Sequence, residues 1–472
     1  MGRLRAAVSQ GAYFQHNGIW RMKGVLKAIL LAALLSAASM LSGCTLLYGD
    51  SLLALPSLPA EYVELQKEIN KVLSTGAVSA AAESGGNRQA IQLVDIDGDG
   101  VNETVAFFRE QDGNYLIKAY KKEQENYVEI GTARAVGLTL HSIYYPVVSA
   151  TGQRCLAVCW GIDESNNYGM DVYSFGADGM TSILNVQYSG IFVGDLYDDG
   201  LDELCFSVRD QMTGQLALRV YSFSGGGYVM DGETPLCSEA RGVLRMSLGI
   251  SGGGTQALFL DSSASGGGYV TDVIAYSGRK GRLTNITSGA DGHDGMDTWR
   301  ATEAYSSDID GDGVTEVPRA YAAETAYSDD KNRLEWIEFS ASGRESRLKT
   351  YHMPSDGWYL KWPENWDDNV MVQTTRYSRM SKTVFFLPGD EFDGSAVPTP
   401  DEKNTLLTIY VFSGDNRQAY LSVYEAQELA GRDGVLYAYS FGAAGETRYG
   451  LDDQSIKESF VKIDNEWTSE AY

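Results

Sequence analysis

The chain is poor in the side chains on which much enzyme chemistry depends. Its 472 residues include four histidines, five cysteines and ten prolines. Three of the histidines, His141, His293 and His352, are scattered far apart, and the fourth lies close to the N-terminus. No His-Glu-x-x-His, Gly-x-Ser-x-Gly, P-loop or dinucleotide fingerprint occurs, so nothing marks a zinc protease, serine hydrolase, nucleotidase or dehydrogenase. Acid pairs are abundant, which leaves a glycosidase-like carboxylate pair open. Positive charge is also scarce, with 38 Lys and Arg against 63 Asp and Glu for a net charge of −25. Such a chain is repelled by nucleic acid and by anionic lipid surfaces. No apolar run reaches the roughly 20 residues that a membrane-spanning helix needs.

The longest apolar run, Ala28 to Leu41, follows Arg21, Lys23 and Lys27 and ends in Leu41-Ser-Gly-Cys44. Basic residues, a short apolar core and small residues at its end describe a signal peptide. Leu-Ser-Gly-Cys resembles the bacterial lipobox. The resemblance implies cleavage before Cys44 and acyl chains on that residue, which would anchor the protein to the bacterial cell membrane on its extracytoplasmic side. Met22 is the better start, with residues 1–21 upstream of it. The leader holds five basic residues and no acid, so the remainder carries about −30. Attachment would therefore depend on the acyl chains rather than on charge. The other cysteines are Cys155, Cys159, Cys205 and Cys237. Cys155 and Cys159 fall four apart on one face of a strand, too far to bridge, and no zinc spacing is present. They read as small buried hydrophobes.

What the chain does have is glycine and tyrosine (52 and 29 residues) and a repeated acidic loop. Asp95-Ile-Asp-Gly-Asp-Gly-Val-Asn-Glu103 returns as Asp308-Ile-Asp-Gly-Asp-Gly-Val-Thr-Glu316, and more loosely as Asp195-Leu-Tyr-Asp-Asp-Gly-Leu-Asp-Glu203. Acids at positions 1, 3, 5 and 9 converge on one point, which is unfavourable unless a cation is shared. All-oxygen ligands on a flexible loop select a hard ion, Ca²⁺ before Mg²⁺. Position 12 is Ala106, Phe206 or Arg319, so none is an EF-hand. The flanking runs Ala90–Val94 and Thr104–Phe108 are strand-like. An Asp-x-Asp-x-Asp-Gly-x-x-acid loop between two strands resembles the FG-GAP/VCBS repeats of integrin-α-like β-propellers. That resemblance implies Ca²⁺ ligands at Asp95, Asp97, Asp99 and Glu103, at Asp308, Asp310, Asp312 and Glu316, and at Asp195, Asp199 and Glu203. Tyr197 departs from the pattern at position 3 and should weaken the third site unless Asp198 swings in. Position 7, held by Val101, Leu201 and Val314, would offer a backbone carbonyl, as in other Asp-rich loops.

Eroded copies fill the gaps. Val147–Gly152 leads into Cys155–Cys159, and Leu248–Gly253 leads into Gln256–Leu260. The frame thus starts near residues 95, 147, 195, 248 and 308, a period of about 50 to 60 residues that fits a four-stranded blade. A second hairpin in each period, such as Tyr115–Tyr120 before Tyr127–Ile130, completes the four strands. The expected fold is mainly β, a propeller of about five to seven blades, with an array of separate sandwiches as the alternative.

The expected order is a leader at 1–43, a tether at 44–58, a helix and loop at 59–88, the propeller at 89–356 and a small α+β domain at 357–472. Pro59–Leu73 reads as an amphipathic helix with Tyr62, Leu65, Ile69 and Val72 on one face. In the last region Gln418–Leu429 and Asp453–Ile463 read as helices, and Trp362–Asn365 before Val370 faintly repeats the blade frame. Trp358, Trp362, Trp366 and Tyr359 form either a sugar-stacking platform or a junction core. Asp291–Asp297 is another acidic stretch, read as a solvated loop. The expected function is ligand binding or adhesion at the cell surface, with an unidentified protein or glycan as partner. A structural role in an envelope complex and a polysaccharide-active enzyme are the alternatives.

Overall fold

The computed structural model describes residues 62–163, 167–277, 282–288, 296–321, 331–389, 398–432 and 434–463. Cys44 and the leader lie outside these, as do residues 291–295 of the acidic stretch. Among the described residues no helix is long and apolar enough to cross a membrane.

Residues Lys67–Tyr472 form one compact unit, in which the described residues make six antiparallel sheets in succession. The first sheet contains Ile91–Val94, Glu103–Arg109, Tyr115–Glu123 and Asn126–Ala135, joined in that order. A two-residue strand, Val78–Ser79, also pairs with Glu103–Arg109, within a segment expected to be loop alone. The second sheet follows with Thr139–Tyr144, Leu156–Gly161, Tyr168–Gly176 and Gly179–Tyr188. The third has Gly190–Gly194, Glu203–Arg209, Leu216–Ser224 and Gly227–Pro235. The fourth has Ala240–Ile250, Gln256–Ala264, Tyr269–Ser277 and Arg282–Asn285. Each is a meander, with the acidic or eroded loop joining its first two strands.

The packing explains the sequence texture. Second strands such as Leu156–Gly161 are buried on both faces and so read as unbroken apolar runs. Fourth strands such as Asn126–Ala135 are half exposed and alternate. Alternate residues of one strand serve two interfaces. Leu156, Val158 and Trp160 pack against Val105 and Phe107 of the first sheet. Cys155, Ala157 and Cys159 pack on the other side against Leu204, Phe206 and Val208 of the third. Cys155, Cys159, Cys205 and Cys237 are all buried, and burial raises the Cys159 thiol to about 11. The same face-to-face stacking joins the third sheet to the fourth, the fourth to the fifth, and the fifth to the sixth. Serial four-stranded meanders stacked face to face, with first strands lining a shared cavity, form a β-propeller.

The fifth sheet departs from the frame. Its first strand is reduced to a single bridge, Ser307 to Glu316. It continues through Val317–Ala320, Arg333–Ser340 and Gly343–Met353, then gains Trp358–Lys361 and Phe460–Lys462 from the C-terminal region. The sixth sheet is built from Met371–Tyr377, Met380–Phe386, Thr405–Ser413, Val435–Phe441 and Gln427–Arg432.

Three expectations need correction here. The strands either side of Trp362–Asn365 belong to different sheets, so no hairpin repeats the blade frame there. The helix expected over Gln418–Leu429 is Arg417–Val423, and the chain then turns through Glu425 at φ 50° into a strand. The last helix, Asp453–Ser459, starts with Asp452 and Ser455 in a capping box. It ends early because Phe460–Lys462 pairs with Trp358–Lys361. The helix near the start is Val63–Leu73, with Leu65, Ile69 and Val72 buried and Tyr62 half-buried. Trp358, Trp362, Trp366 and Tyr359 are all buried, which makes them core and not a sugar platform.

Candidate cation loops and the adjoining cleft

Each complete acidic loop is a nest of backbone amides closed by its own aspartates. In the first, Asp95 accepts from Gly98 N at 2.8 Å and Gly100 N at 2.9 Å, and Asp99 accepts from Val101 N at 2.8 Å. In the fifth-sheet loop, Asp308 accepts from Gly311 N at 2.7 Å and Gly313 N at 2.9 Å, and Asp312 accepts from Val314 N at 2.8 Å. The third repeats the pattern through Asp195 with Gly200 N at 2.8 Å and Asp199 with Leu201 N at 3.0 Å. Position 4 is left-handed in all three, at Gly98, Gly311 and, unusually for a residue with a side chain, Asp198 at φ 55°.

The position-9 acids are the deepest part of each loop. Glu103, Glu203 and Glu316 are at most 1% exposed. Each accepts through one oxygen from the amide of position 2, at 2.9, 2.8 and 3.0 Å from Ile96, Leu196 and Ile309. Burial, chiefly, raises the Glu203 carboxyl to about 8 and the Glu316 carboxyl to about 7. The other oxygen of Glu316 is buried with no hydrogen bond. A buried carboxylate oxygen without a partner is costly, and one carboxylate oxygen each of Glu316, Asp308 and Asp310 lie within 4.8 Å of one another. That geometry fits a hard cation. Asp95, Asp97 and Asp99 form a second such group. Among the described residues the third loop forms none, and Tyr197 is the reason. Its ring leaves the loop to lie on Tyr276 at 4.0 Å between centroids, with its hydroxyl donating to Asp231 at 3.1 Å.

Side chains that the loop motif does not contain also take part. Lys121, on Tyr115–Glu123, reaches the first loop, and Arg347, on Gly343–Met353, reaches the fifth-sheet loop. Glu338, on Arg333–Ser340, joins Asp312 and Glu316 in a third acidic group. No local spacing announces these residues. Only strand register brings them in.

The eroded loops are not idle. Arg154 N donates to Ile96 O at 2.8 Å, Asp202 N to Val147 O at 2.8 Å and Thr315 N to Ile250 O at 2.8 Å, and the Gln256 side chain donates to Asp195 O. The five loops are thereby tied in sequence, acidic to plain to acidic. The left-handed glycine of the fourth is Gly254, one residue later than the frame suggested.

Two of the cavities lined by described residues open on these blades. One, of about 750 Å³, is bordered by Tyr197, Glu203, Asp231, Glu233, Tyr276 and Asn285. The other, of about 470 Å³, takes His141, Tyr144, Tyr168, Tyr188, Ile191 and Arg245 from the first strands of the second, third and fourth sheets and from Tyr168–Gly176 and its successor. His141 lies on Tyr168 at 4.3 Å between centroids, and burial lowers its imidazole.

Fold and loops together define a mainly β protein of propeller type with acidic inter-strand loops. No family model matches the chain, and no curated protein matches it. Among solved structures it is similar to Saccharomyces cerevisiae Sqt1, at 10% identity and a TM-score of 0.28, over 76% of this chain and 99% of that one. Rhamnogalacturonan lyase YesW matches at 13% identity and 0.26, over 77% and 91%. The Dos1 propeller matches at 9% and 0.25, over 76% and 81%. These values carry no substrate or partner across.

Proposed function

We propose that the protein is a ligand-binding module of the FG-GAP/VCBS kind, stabilised by Ca²⁺ and held at the outer face of the bacterial cell membrane by acyl chains on Cys44. The observation that carries the binding reading is the cleft of about 750 Å³ beside the third loop. There the repeat has given up a ligand position for an aromatic wall, Tyr197 on Tyr276, flanked by Asp231, Glu233 and Asn285. Stacked rings with convergent polar groups suit a neutral, hydroxyl-rich surface such as a glycan, or a polar protein segment. Calcium is structural in this reading. Asp308, Asp310, Asp312 and Glu316 would hold one ion and Asp195, Asp199 and Glu203 a weaker one; the loop of Asp95, Asp97, Asp99 and Glu103 is of the same kind, with Lys121 bonded to Asp97 and Asp99. The ion would neutralise the loops and fix their ends.

The test is a glycan array, followed by cross-linking on whole cells. Saturable binding of one class, reduced at least about tenfold by Tyr276→Ala, is the expected outcome. Saturable binding that Tyr276→Ala leaves intact would remove the cleft from the reading. A partner captured by cross-linking with no saturable soluble ligand would favour a bracing role in an envelope complex.

A further inference from the structure

We propose that the chain supplies its own cation to the first loop through Lys121, and that the fifth-sheet loop takes a divalent cation with Glu338 as an additional ligand. The second half rests on the calcium reading above for the kind of ion. One position in the blade decides the difference. The pairing of Thr104 with Tyr120 sets Glu103 alongside Lys121 on the neighbouring strand. The pairing of Leu204 with Tyr221 sets Glu203 alongside Ser222. The pairing of Val317 with Ile337 sets Glu316 alongside Glu338. The same place beside the buried glutamate thus holds a base, a hydroxyl and an acid.

At the first loop the Lys121 ammonium is bonded to Asp97, lies 2.8 Å from Asp99 Oδ2 and reaches Glu103 Oε1 at 3.5 Å. It spans the loop from its exposed edge to its buried acid, the span that a bound metal would bridge. At the fifth-sheet loop the basic residue is placed differently. Arg347 comes from the next strand out. It contacts Asp312 at 2.9 Å, Glu338 at 2.7 Å and Asp310 at 3.7 Å, and is shared with Glu345 at 3.8 Å. Glu316 Oε1 and Glu103 Oε1 are both buried without a hydrogen bond, but Glu103 Oε1 has the Lys121 ammonium 3.5 Å away, whereas the Arg347 contacts fall on Asp310, Asp312, Glu338 and Glu345. Ligand oxygens of Asp312, Glu316 and Glu338 lie within 4.8 Å of one another. Five carboxylates facing one shared arginine need a further cation, whereas four facing a dedicated lysine are closer to balance.

Calorimetric titration of the full-length protein with Ca²⁺, after chelator treatment, tests this. Melting curves first establish that each variant is folded. Glu338→Gln should weaken the tightest site by about tenfold through the lost carboxylate. Lys121→Glu, which gives the first loop the acid its counterpart has, should bind one more ion per chain than the unaltered protein. Lys121→Met should melt lower in chelator and be restored by Ca²⁺. The assignment is overturned if Lys121→Glu binds no additional ion or if Glu338→Gln leaves affinity unchanged. Two equivalent sites in the unaltered protein would overturn it and leave the calcium reading intact. A folded protein that binds no Ca²⁺ would overturn both.

Discussion

Single residues at the loop bottoms set how the protein responds to pH. Glu203 is buried and titrates near 8, well above its ordinary value of 4.5. The folded form keeps this proton over a range in which the unfolded chain has lost it. The resulting stability is complete below about 4.5 and is lost as pH rises through about 8. In chelator, the melting temperature should therefore fall between about pH 4.5 and 8, and Glu203→Gln should flatten that slope; an unchanged slope in the variant would assign the effect elsewhere. Two glycines of the first loop separate strain from contact. A Cβ at Gly100 meets nothing within 4 Å, whereas one at Gly98 would drive into the Thr151 carbonyl oxygen. Both have positive φ. Gly100→Ala should cost about 1 kcal/mol, the backbone strain alone, and Gly98→Ala about 2–3 kcal/mol, read from chemical denaturation. The acids of the loops were legible because Asp-x-Asp-x-Asp-Gly is local in sequence. Lys121 and Glu338 were not, since they lie 18 and 22 residues beyond the loop acids they face, at distances fixed only by hairpin lengths.

At the level of elements, the repeat was readable because the first four loops are each followed by a strand buried on both faces. Apolar runs such as Leu156–Gly161 persisted where the ligands did not. Gly152, at φ 86° against 85° for Gly100, shows that the eroded second loop kept the turn after losing the charge. The C-terminal region was harder. Arg417–Val423 and Gln427–Arg432 share one amphipathic texture, and only the left-handed Glu425 separates helix from strand. Phe460–Lys462 looks like a continuing helix until Trp358–Lys361 offers it backbone partners 100 residues away in the chain. Tyr197 was legible as a departure from the loop pattern. Its stacking on Tyr276 was not, because that depends on how the third and fourth sheets pack.

For the whole molecule, the balance of charge matters more than any one pair. With 63 acids against 38 bases, folding gathers like charges and is opposed by their repulsion. At millimolar Ca²⁺, a site with a dissociation constant of roughly 10⁻⁴ to 10⁻³ M adds about 0.5–1.5 kcal/mol. Chelation should accordingly lower the melting temperature by a few degrees, and mass spectrometry under native conditions should find bound ion in the untreated protein. No shift on chelation together with no metal would remove calcium from the account.

Most of the bonds between loops share a direction. Arg154 donates to Ile96, Asp202 to Val147, Gln256 to Asp195 and Thr315 to Ile250. In these four bonds the later residue is the donor and the earlier one the acceptor, while Val147 N donates the other way, to Asp202 Oδ2 at 2.7 Å. A chain that emerges from its N-terminus therefore has a backbone partner in place in the earlier loop before the later loop arrives. Each new blade finds its docking edge already made, and the rim can be assembled in the order of synthesis without waiting for the last blade.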